Sequence, residues 1–453
     1  MLSAFSCAPT LDDTEVQTEK KRFSFRKSSK VSSNNDMESN PESRDATEVK
    51  EKSAGLFKAS KIQKKVVYTQ FSDDPKAVIQ LVSEDGIPEP ASGDDVVVKV
   101  QVSCKSLRTN LDRKGFRLSH VSFQASTVSY NDCLFRRGMS FSVVEPISIP
   151  ATPGMDIIGN VVAVGKNVTA WKEGDRVAAL VQTGGNARYA VISSNSLIAV
   201  PRSLDNSEAV CMVSIYMTAY QSLRLVVGKE RTLKGKQVLI VGALGPVGQA
   251  LIQMAKRAGA DSVFATAPTN MHRYVKSVLG AKPLPMEPSE WLASIKGKMD
   301  VVMDNVCQDG FESSRAALSD KGALVCVGMS GLMNSETMGV FGAPMSARWA
   351  QTKASYFMSR TQTYDILDSF YKDPKKFKTD LEHVFQLLRQ RDIKPHIAKR
   401  VCLSEVGEAH VYLELGKSRG AIVCMPWKRR ILTPGVKAGK YGIDETELED
   451  DRE

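Results

Sequence analysis

The sequence predicts an α/β protein whose two halves are built differently and lie between polar tails. In residues 64–201, short β-branched runs alternate with Gly, Pro, Asn and Asp, which is typical of a mostly β domain with many turns. From about residue 203, buried-type strands such as QVLIVGA and VVMDNV are separated by helical segments such as PVGQALIQMAKRAGA. This alternation predicts parallel βαβ units and therefore a doubly wound parallel sheet. The 453 residues are enough for two such domains plus tails.

The two ends of the chain differ from the middle in composition. Residues 1–60 are rich in Ser, Lys, Glu and Asn, and the chain finishes in the acidic run YGIDETELEDDRE, so we expect both tails to be disordered. The start, MLSAFSCAPT, resembles an organellar presequence only weakly, because four acidic residues precede the first basic residue. We therefore expect a cytoplasmic location.

Composition also argues against several classes of function. Eight cysteines are scattered without a C-x-x-C pair or a short Cys/His cluster, which argues against a disulfide framework and a zinc ribbon and indicates a reducing compartment. No run of 18 apolar residues occurs, so we expect no membrane span. The net charge of +10 favours anionic ligands, but no recognition motif accompanies it, and we do not expect nucleic acid to be the main partner.

The stretch QVLIVGALGPVGQALIQMAKRAGAD carries the clearest chemical signal, because a buried strand runs through small residues into an amphipathic helix. A dinucleotide fingerprint needs small residues for a tight turn, for the approach of a pyrophosphate and for packing of the helix on the strand. Ala243, Gly245 and Gly248 stand at those spacings. Pro246 and Val247 begin the helix, whose free N–H groups and dipole favour an anion. The sequence therefore predicts a Rossmann-type domain that binds a dinucleotide; the alternative is a tight βα turn that binds nothing.

The next strand indicates which dinucleotide is bound. An NAD site places a carboxylate about 20 residues after the glycines, where it binds the ribose 2′-hydroxyl. No Asp or Glu occurs in residues 262–286, whereas Thr266, His272, Arg273 and Lys276 lie there. These residues suit a 2′-phosphate, so NADPH is the predicted cofactor. The alternative is that Arg273 and Lys276 only solvate a helix face.

These stretches resemble the medium-chain dehydrogenase/reductase superfamily. PGMDIIGNVVAVGKNVTAWKEGDRV, at 153–177, is similar to its P-G-x-D-x-x-G-x-V-x-x-V-G and G-D-R-V motifs. YMTAYQSL, VGALGPVG, DVVMDNVCQDGFESSRAALSDKGALVCVGMSG and KSRGAIVCM follow in the family's order. The resemblance covers roughly residues 64–428, and within the superfamily the chain is similar to the quinone oxidoreductase or zeta-crystallin group. It implies a GroES-like catalytic domain before the Rossmann-type domain, and it implies that Thr218, Asn305 and Gly328 contact the cofactor.

The same resemblance argues against a catalytic metal. The zinc alcohol dehydrogenases of the superfamily carry a G-H-E motif, a catalytic Cys and a four-cysteine lobe, whereas this chain has Gly154-Met155-Asp156 and lacks the lobe. A methionine thioether does not replace the imidazole or thiolate ligands of zinc. We therefore expect no metal site and no metal-assisted alcohol oxidation.

The stretch TVSYNDCLFRRG resembles the family's cleft loop, V-N-Y-x-D-x-x-x-R-x-G, with Ser129 in place of the usual Asn. Tyr130 is the candidate residue for polarising a carbonyl oxygen; alternatively, it is an aromatic residue packed in the cleft wall. We expect Asp132 and Arg136 to form a structural ion pair. The resemblance also implies that Thr218 begins a helix that faces the cofactor.

Without a metal, the predicted chemistry is direct hydride transfer from NADPH, in which the protein supplies orientation and a dry cleft. A quinone or an α,β-unsaturated carbonyl compound suits this chemistry, because its oxygen takes up the developing negative charge. The predicted function is therefore that of an NADPH-dependent quinone or enone oxidoreductase. The alternatives are an enoyl-thioester reductase on the same fold and an NADPH-binding protein without turnover. Family resemblance also implies a homodimer.

One insert interrupts this pattern. Residues 102–124 neither alternate like a strand nor repeat like a helix, and they carry five Lys/Arg and one Asp. Joining Gln101 directly to Ala125 gives VVVKVQASTVSYNDCLFRRG, an uninterrupted strand and loop. Val codons begin GT and one Gln codon is CAG, which are the ends of a spliceable intron. We therefore hypothesise a retained intron or a gene-model error; if the insert is real, it is a basic flap beside the cleft.

These observations together predict the division of the chain. The predicted segments are a disordered tail 1–60, a GroES-like catalytic domain 61–203 with the atypical insert 102–124, a Rossmann NAD(P)-binding domain 204–358, a helix and strands 359–428 that return to the catalytic domain, and an acidic tail 429–453.

Overall fold

The structure is a computed structural model that describes residues 62–428, apart from 101, 104–121, 124, 140–145, 228–231, 334–348, 351, 355 and 357. The two predicted disordered tails and most of the insert lie outside the described residues. The described strands are β1 Ile62–Tyr68, β2 Ile79–Asp85, β3 Asp95–Val100, β4 Val102–Ser103, β5 Ser122–Phe123, β6 Ala125–Val128, β7 Asp156–Val164, β8 Arg176–Leu180, β9 Tyr189–Ser193, β10 Ile198–Ala199, β11 Gln237–Val241, β12 Ser262–Thr266, β13 Lys282–Leu284, β14 Met299–Asp304, β15 Leu318–Cys326, β16 Thr361–Thr363, β17 Ile397–Val401 and β18 Ala421–Cys424.

Helices are concentrated in the second half of the chain. The described α-helices are α1 Pro75–Val78, α2 Tyr130–Arg136, α3 Asn206–Cys211, α4 Met217–Arg224, α5 Pro246–Arg257, α6 His272–Tyr274, α7 Pro288–Ile295, α8 Glu312–Ala316, α9 Ser330–Met333, α10 Ile366–Lys372, α11 Pro374–Gln390 and α12 Val406–Glu414. Two π-helical turns, Met212–Tyr216 and Val275–Leu279, follow α3 and α6 directly.

An eight-stranded sheet is built mostly from the first half of the chain. Its order is β10-β8-β7-β6-β18-β17, and β3 pairs with both β7 and β9. All of its pairs are antiparallel except β17 with β18. Because β17 and β18 come from the end of the described chain, that segment returns to this sheet after the helices. Val96, Val98, Ile157 and Val177 form part of an apolar cluster on one side of the sheet.

A six-stranded sheet occupies the second half, in the order β13-β12-β11-β14-β15-β16, and every pair is parallel. The strand order reverses at β11, which has β12 on one side and β14 on the other. In doubly wound sheets, ligands bind in the crevice at the carboxyl ends of the strands where the order reverses. The mostly β sheet and the parallel sheet confirm the predicted fold class, while the exact domain boundaries stay predictions.

The insert leaves and rejoins the first sheet at a single position. Val100, the last residue of β3, pairs with Gly159 on β7, and Ala125, the first residue of β6, pairs with the adjacent Ile158. β3 and β6 therefore lie end to end along β7, like two halves of one strand, although 24 residues separate them in the chain. The short strands β4 and β5 pair with each other in a separate two-stranded sheet. This register supports an insertion into a continuous strand, and its origin as an intron stays a hypothesis.

Candidate active site

A cavity of ≈ 400 Å³ lies at the crevice where the strand order reverses. The carboxyl ends of β11, β12, β14 and β15 line one side of it, and residues that follow β6 and precede β7 line the other. The predicted site residues that line it are Tyr130, Thr218, Ala243, Gly245, Pro246, Val247, Thr266, Asn305 and Gly328. Gly248, His272 and Arg273 do not line this cavity.

The glycine turn between β11 and α5 has the shape that a pyrophosphate site requires. A Cβ atom added at Gly248 would lie 1.9 Å from the carbonyl oxygen of Gly242, so the helix packs directly on the end of the strand. At Gly245, the cap residue of α5, an added Cβ would meet only Asn305 Nδ2, at 3.8 Å, and would project into open space beside the cavity. Gly242 has a φ of +89° and donates its N–H to Thr266 Oγ1 at 2.9 Å. The turn is therefore a cradle of backbone at the N-terminus of α5, which fits a bound phosphate group.

His272 and Arg273 stand beyond the end of β12, in different environments. The Nε2 atom of His272 lies 3.1 Å from Ala267 O and 3.2 Å from Leu284 O, so it must carry a proton to bond with either carbonyl. This contact ties the residues after β12 to the end of β13. The side chain of Arg273 is exposed. The guanidinium N–H groups of Arg273 therefore face solvent, whereas the imidazole of His272 is hydrogen-bonded within the protein. That either residue binds the cofactor stays a prediction.

The stretch that resembles the cleft loop is a short helix, α2, rather than a loop. Ser129 is its N-cap: the Ser129 side chain accepts the N–H of Asp132, and the Asp132 side chain accepts the N–H of Ser129 at 2.7 Å. This capping box explains why the helix starts at Tyr130. The Tyr130 ring is half-buried and lines the cavity, and burial raises the pKa of its hydroxyl above the ordinary value. The hydroxyl therefore keeps its proton at neutral pH and is a hydrogen-bond donor.

The expected ion pair between Asp132 and Arg136 does not form, so that prediction is wrong. Asp132 caps its own helix and also accepts the N–H of Gly154 at 2.7 Å. Arg136, at the other end of α2, donates to Glu414 on α12 and to the carbonyl of Ser72. The two side chains are satisfied by different neighbours because one lies at each end of the helix.

Thr218 does not begin a helix, which corrects a second expectation. α3, the π-helical turn Met212–Tyr216 and α4 follow each other without a break, so Thr218 lies inside one helical run. The π turn adds a residue to this run beside the cavity, and such turns are frequent at functional sites. Ser214, within the turn, lines the cavity together with Thr218.

Sequence reasoning missed a network of hydroxyl groups and a buried carboxylate at Asp156. Thr127 donates its N–H, at 2.7 Å, and its hydroxyl, at 2.6 Å, to Asp156 Oδ1. Ser214 donates its hydroxyl to Asp156 Oδ2. Asp156 is fully buried, and burial raises its pKa in spite of these bonds. The three residues are far apart in the sequence and share no recognisable motif, so only the fold brings them together.

Ser129 and Asp132 form a second pair of the same kind. The Ser129 hydroxyl donates to Asp132 Oδ2 at 2.8 Å. Burial raises the pKa of Asp132 to about 6, the N–H groups of Ser129 and Gly154 oppose this rise, and the charge of Asp156 adds to it. The S-x-x-D spacing of a capping box was the signal in the sequence that could have identified this pair.

The remainder of the cavity is mostly apolar. The apolar lining includes Leu134, Phe135, Met139, Met155, Met286, Phe311, Met329, Ile366, Leu367 and Leu413. Several of these side chains are methionines, which adapt to irregular apolar ligands and make favourable contacts with aromatic rings. A small-molecule site of this kind takes a largely apolar ligand and orients it with a few polar groups.

Nothing in the described part of the chain groups three or more His, Cys, Asp or Glu side chains so that they could hold a metal ion. Met155 lies in the cavity with its sulfur 3.9 Å from the Ser129 hydroxyl, where the resemblance places the metal ligands of the zinc enzymes. Among the helices that the structure describes, none has both the length and the apolar character needed to cross a bilayer.

Two family models match the chain. One is described as "Alcohol dehydrogenase GroES-like domain" and covers residues 118–202, and the other is described as "Zinc-binding dehydrogenase" and covers residues 279–424. The description of the second model refers to zinc, but the cavity offers no set of zinc ligands among the described residues. Together the two models follow the order of the mostly β sheet and the parallel sheet.

Curated relatives have different names and lengths. A highly reducing polyketide synthase from Didymella fabae is 27% identical over 322 residues, which cover 68% of this chain and 16% of that protein. A synaptic vesicle membrane protein VAT-1 homolog from Danio rerio is 26% identical, over 65% of this chain and 61% of its own length. The chain therefore spans less than two thirds of either protein. A 2-methylene-furan-3-one reductase from Solanum lycopersicum is 26% identical, over 72% of this chain and 76% of that protein.

Solved structures share the fold. The quinone oxidoreductase from Coxiella burnetii has a TM-score of 0.58 and 24% identity, and the match covers 80% of this chain and 99% of that one. A mycobacterial protein solved in complex with NADPH has a TM-score of 0.60 and 20% identity, over 80% of this chain and 100% of that one.

The motifs, the two sheets and these matches agree with one another, and the family itself is NAD(P)-dependent. These findings are consistent with the zinc-independent group of the medium-chain dehydrogenase/reductase superfamily.

Proposed function

We propose that the protein is an NADPH-dependent, zinc-independent reductase that transfers hydride to a quinone or an α,β-unsaturated carbonyl compound. The observation that carries this proposal is a single cavity that joins the glycine turn to Tyr130 and to an apolar lining. The relative from Solanum lycopersicum is named for reducing a ketone conjugated to a methylene group, and the Coxiella burnetii protein is named a quinone oxidoreductase. Both names support an acceptor of this class.

The residues present suit NADPH better than NADH. Ala243, Gly245 and the first turn of α5 would hold the pyrophosphate, and Thr266 lies at the end of the next strand. No carboxylate occurs in residues 262–286 to hold a ribose 2′-hydroxyl, whereas the exposed Arg273 can bind a 2′-phosphate. The mycobacterial structure in complex with NADPH supports this choice.

Two features of the chain would assist the reaction. The Tyr130 hydroxyl remains protonated and can donate a hydrogen bond to the carbonyl oxygen, which gains negative charge as the acceptor is reduced. The apolar lining keeps water away from the reacting carbons. When bound, NADPH supplies the hydride that adds to the β-carbon of an enone, and a proton from water completes the C–H bond at the α-carbon; a quinone takes up the same hydride and proton to give a hydroquinone.

Purified protein, NADPH and a panel of 1,4-benzoquinone, 2-nonenal and crotonyl-coenzyme A test this function. We expect loss of NADPH absorbance with the quinone or the enal, and a Tyr130→Phe variant that binds NADPH normally but turns over more slowly. Absence of reduction with every acceptor would contradict the proposal.

An enoyl-thioester reductase is the second candidate, because the match to a highly reducing polyketide synthase covers 68% of this chain. In the same panel, a preference for crotonyl-coenzyme A over 2-nonenal would favour this candidate. Nucleotide binding without turnover of any acceptor would favour a non-catalytic NADPH-binding protein. The VAT-1 homologs are named for a vesicle membrane rather than for a reaction.

We also propose a homodimer in the cytoplasm. β16 forms an edge of the parallel sheet, and an edge strand offers unpaired backbone groups to a second copy. The six cysteines in the described residues are free and buried, which suits a reducing compartment. Light scattering would give the mass of the protein in solution, and fractionation of cells would give its location.

A further inference from the structure

Three hydroxyl groups of the cavity have their only proton directed at a buried carboxylate. Thr127 and Ser214 donate to Asp156, and Ser129 donates to Asp132. An ionised carboxylate only accepts hydrogen bonds, and each hydroxyl has one proton, so while the two carboxyl groups are ionised these bonds run from hydroxyl to carboxylate. We call Thr127, Ser129 and Ser214 the acceptor wall.

The two carboxylates depend on these hydroxyls. Asp132 and Asp156 are 1% and 0% exposed, and neither is joined to a Lys, Arg or His in the part of the chain that the structure describes. The nearest arginine of α2, Arg136, is engaged with Glu414. A buried charge without a cation must be stabilised by hydrogen bonds, so the hydroxyl protons are held away from the cavity.

This arrangement determines which ligand groups can form hydrogen bonds with the acceptor wall. With their protons engaged, the hydroxyl oxygens of these three cavity-lining residues can only accept hydrogen bonds from a ligand. A ligand carbonyl at this position would bring two acceptors together, whereas an O–H or N–H group would form a bond. The Tyr130 hydroxyl, on the same side of the cavity, has the opposite polarity because it keeps its proton.

We propose that the acceptor wall selects a ligand group that carries an O–H or N–H donor and leaves the reducible carbonyl to Tyr130. This inference rests on the proposed function. Two ligands could supply the donor: an acceptor molecule with a hydroxyl beside its conjugated carbonyl, or the carboxamide of the nicotinamide. The chemistry of recognition is the same, and two measurements separate the two sources.

The first measurement compares two acceptors that differ by one hydroxyl, 4-hydroxy-2-nonenal and 2-nonenal. If the hydroxyl group of the substrate supplies the hydrogen-bond donor, we expect the wild-type kcat/KM to be about tenfold higher for the hydroxylated compound. A tenfold ratio corresponds to the free energy of about one hydrogen bond. The second measurement compares the Kd of NADPH with that of its 3-acetylpyridine analogue, in which a methyl group replaces the amide nitrogen. If the carboxamide supplies the donor, the tenfold preference occurs in binding.

Ser214 is the residue of choice for substitution, because it is half-buried and lies at the cavity. Ser214→Ala should abolish whichever preference the wild type shows, and Ser214→Thr, which keeps a hydroxyl, should restore it.

Asp156→Asn reverses the hydrogen-bonding character of one hydroxyl of the acceptor wall. The amide N–H₂ of the new side chain donates to that hydroxyl, whose own proton then turns toward the cavity. This variant should favour the ligand without the donor. Thermal unfolding of each variant shows whether it is folded, and Thr127→Val replaces Ser214→Ala if the latter is not.

The outcomes separate the two claims. A wild type that binds and reduces but prefers neither donor-bearing ligand would overturn the acceptor wall and leave the proposed function standing. A preference that Ser214→Ala and Thr127→Val both retain would overturn it as well. A wild type that binds neither nucleotide and reduces neither aldehyde would overturn both claims.

Discussion

Two positions in the turn between β11 and α5 require glycine for different physical reasons, and alanine substitutions distinguish these reasons. A Cβ at Gly248 would lie 1.9 Å from the carbonyl oxygen of Gly242, whereas ordinary C···O contacts begin at about 3.3 Å. The helix and strand would have to separate by roughly 1.4 Å. Since the obstacle is backbone, we expect the upper end of overpacking costs, about 3 kcal/mol, partly offset by about 1 kcal/mol of better helix propensity. Gly248→Ala should therefore lower the free energy of unfolding by about 2 kcal/mol.

Gly245→Ala should behave in the opposite way. Its Cβ would meet only Asn305 Nδ2 at 3.8 Å, and the backbone φ of −62° suits alanine. The free energy of unfolding should change by less than about 0.5 kcal/mol. The new methyl group would, however, occupy the space where a pyrophosphate approaches the backbone, so we expect NADPH to bind at least about tenfold more weakly.

Urea unfolding and calorimetric titration with NADPH measure both effects. Gly407→Ala in α12 is the matched control, because its added Cβ would lie 3.7 Å from Ile79 and away from the cavity; it should leave NADPH binding unchanged. A Gly248→Ala protein as stable as the wild type, or a Gly245→Ala protein that binds NADPH with unchanged affinity, would refute this reasoning.

Three further predictions concern the insert, Asp132 and Arg273. Deleting residues 102–124 should leave the melting temperature and NADPH binding intact, because β3 and β6 already continue each other along β7; loss of folded protein would contradict this. Burial raises the pKa of Asp132 from 3.8 to about 6, so the stability that this group contributes is present at low pH and lost as the pH rises through about 6. The free energy of unfolding of the wild type, relative to Asp132→Asn, should fall by up to about 3 kcal/mol between about pH 4 and 7 in denaturant titrations, and a flat difference would refute the assignment. Arg273→Gln should weaken NADPH about tenfold and leave NADH unchanged in the same calorimetric assay, whereas equal losses for both would rule out a 2′-phosphate contact.

Features that depend on local sequence were predictable. The strand, glycine turn and helix around Gly245 follow from periodicity and from backbone geometry that only small residues permit, and the structure shows each of them. The mostly β first half was also visible, because alternation and turn residues recur in every strand. The insert stood out for the same reason, since it breaks a local pattern.

Features that depend on contacts between distant segments were not predictable. The pairing of Thr127 and Ser214 with Asp156 joins residues up to 87 positions apart, and no spacing rule connects them. The expected ion pair of Asp132 and Arg136 does not form, because the N-terminus of the helix provides partners for Asp132 and Glu414 provides one for Arg136. Thr218 was misplaced because a π turn extends a helix without any clear signal in the sequence.

The central claim is that this cavity brings a reduced nicotinamide and an organic acceptor together for direct hydride transfer. The most direct test uses NADPH that carries deuterium at the transferable C4 position, 2-nonenal as the acceptor, and mass spectrometry with NMR of the product. We predict one deuterium at the β-carbon of nonanal, with one product formed per NADPH consumed. Product without deuterium, or no product at all from folded protein, would contradict the claim.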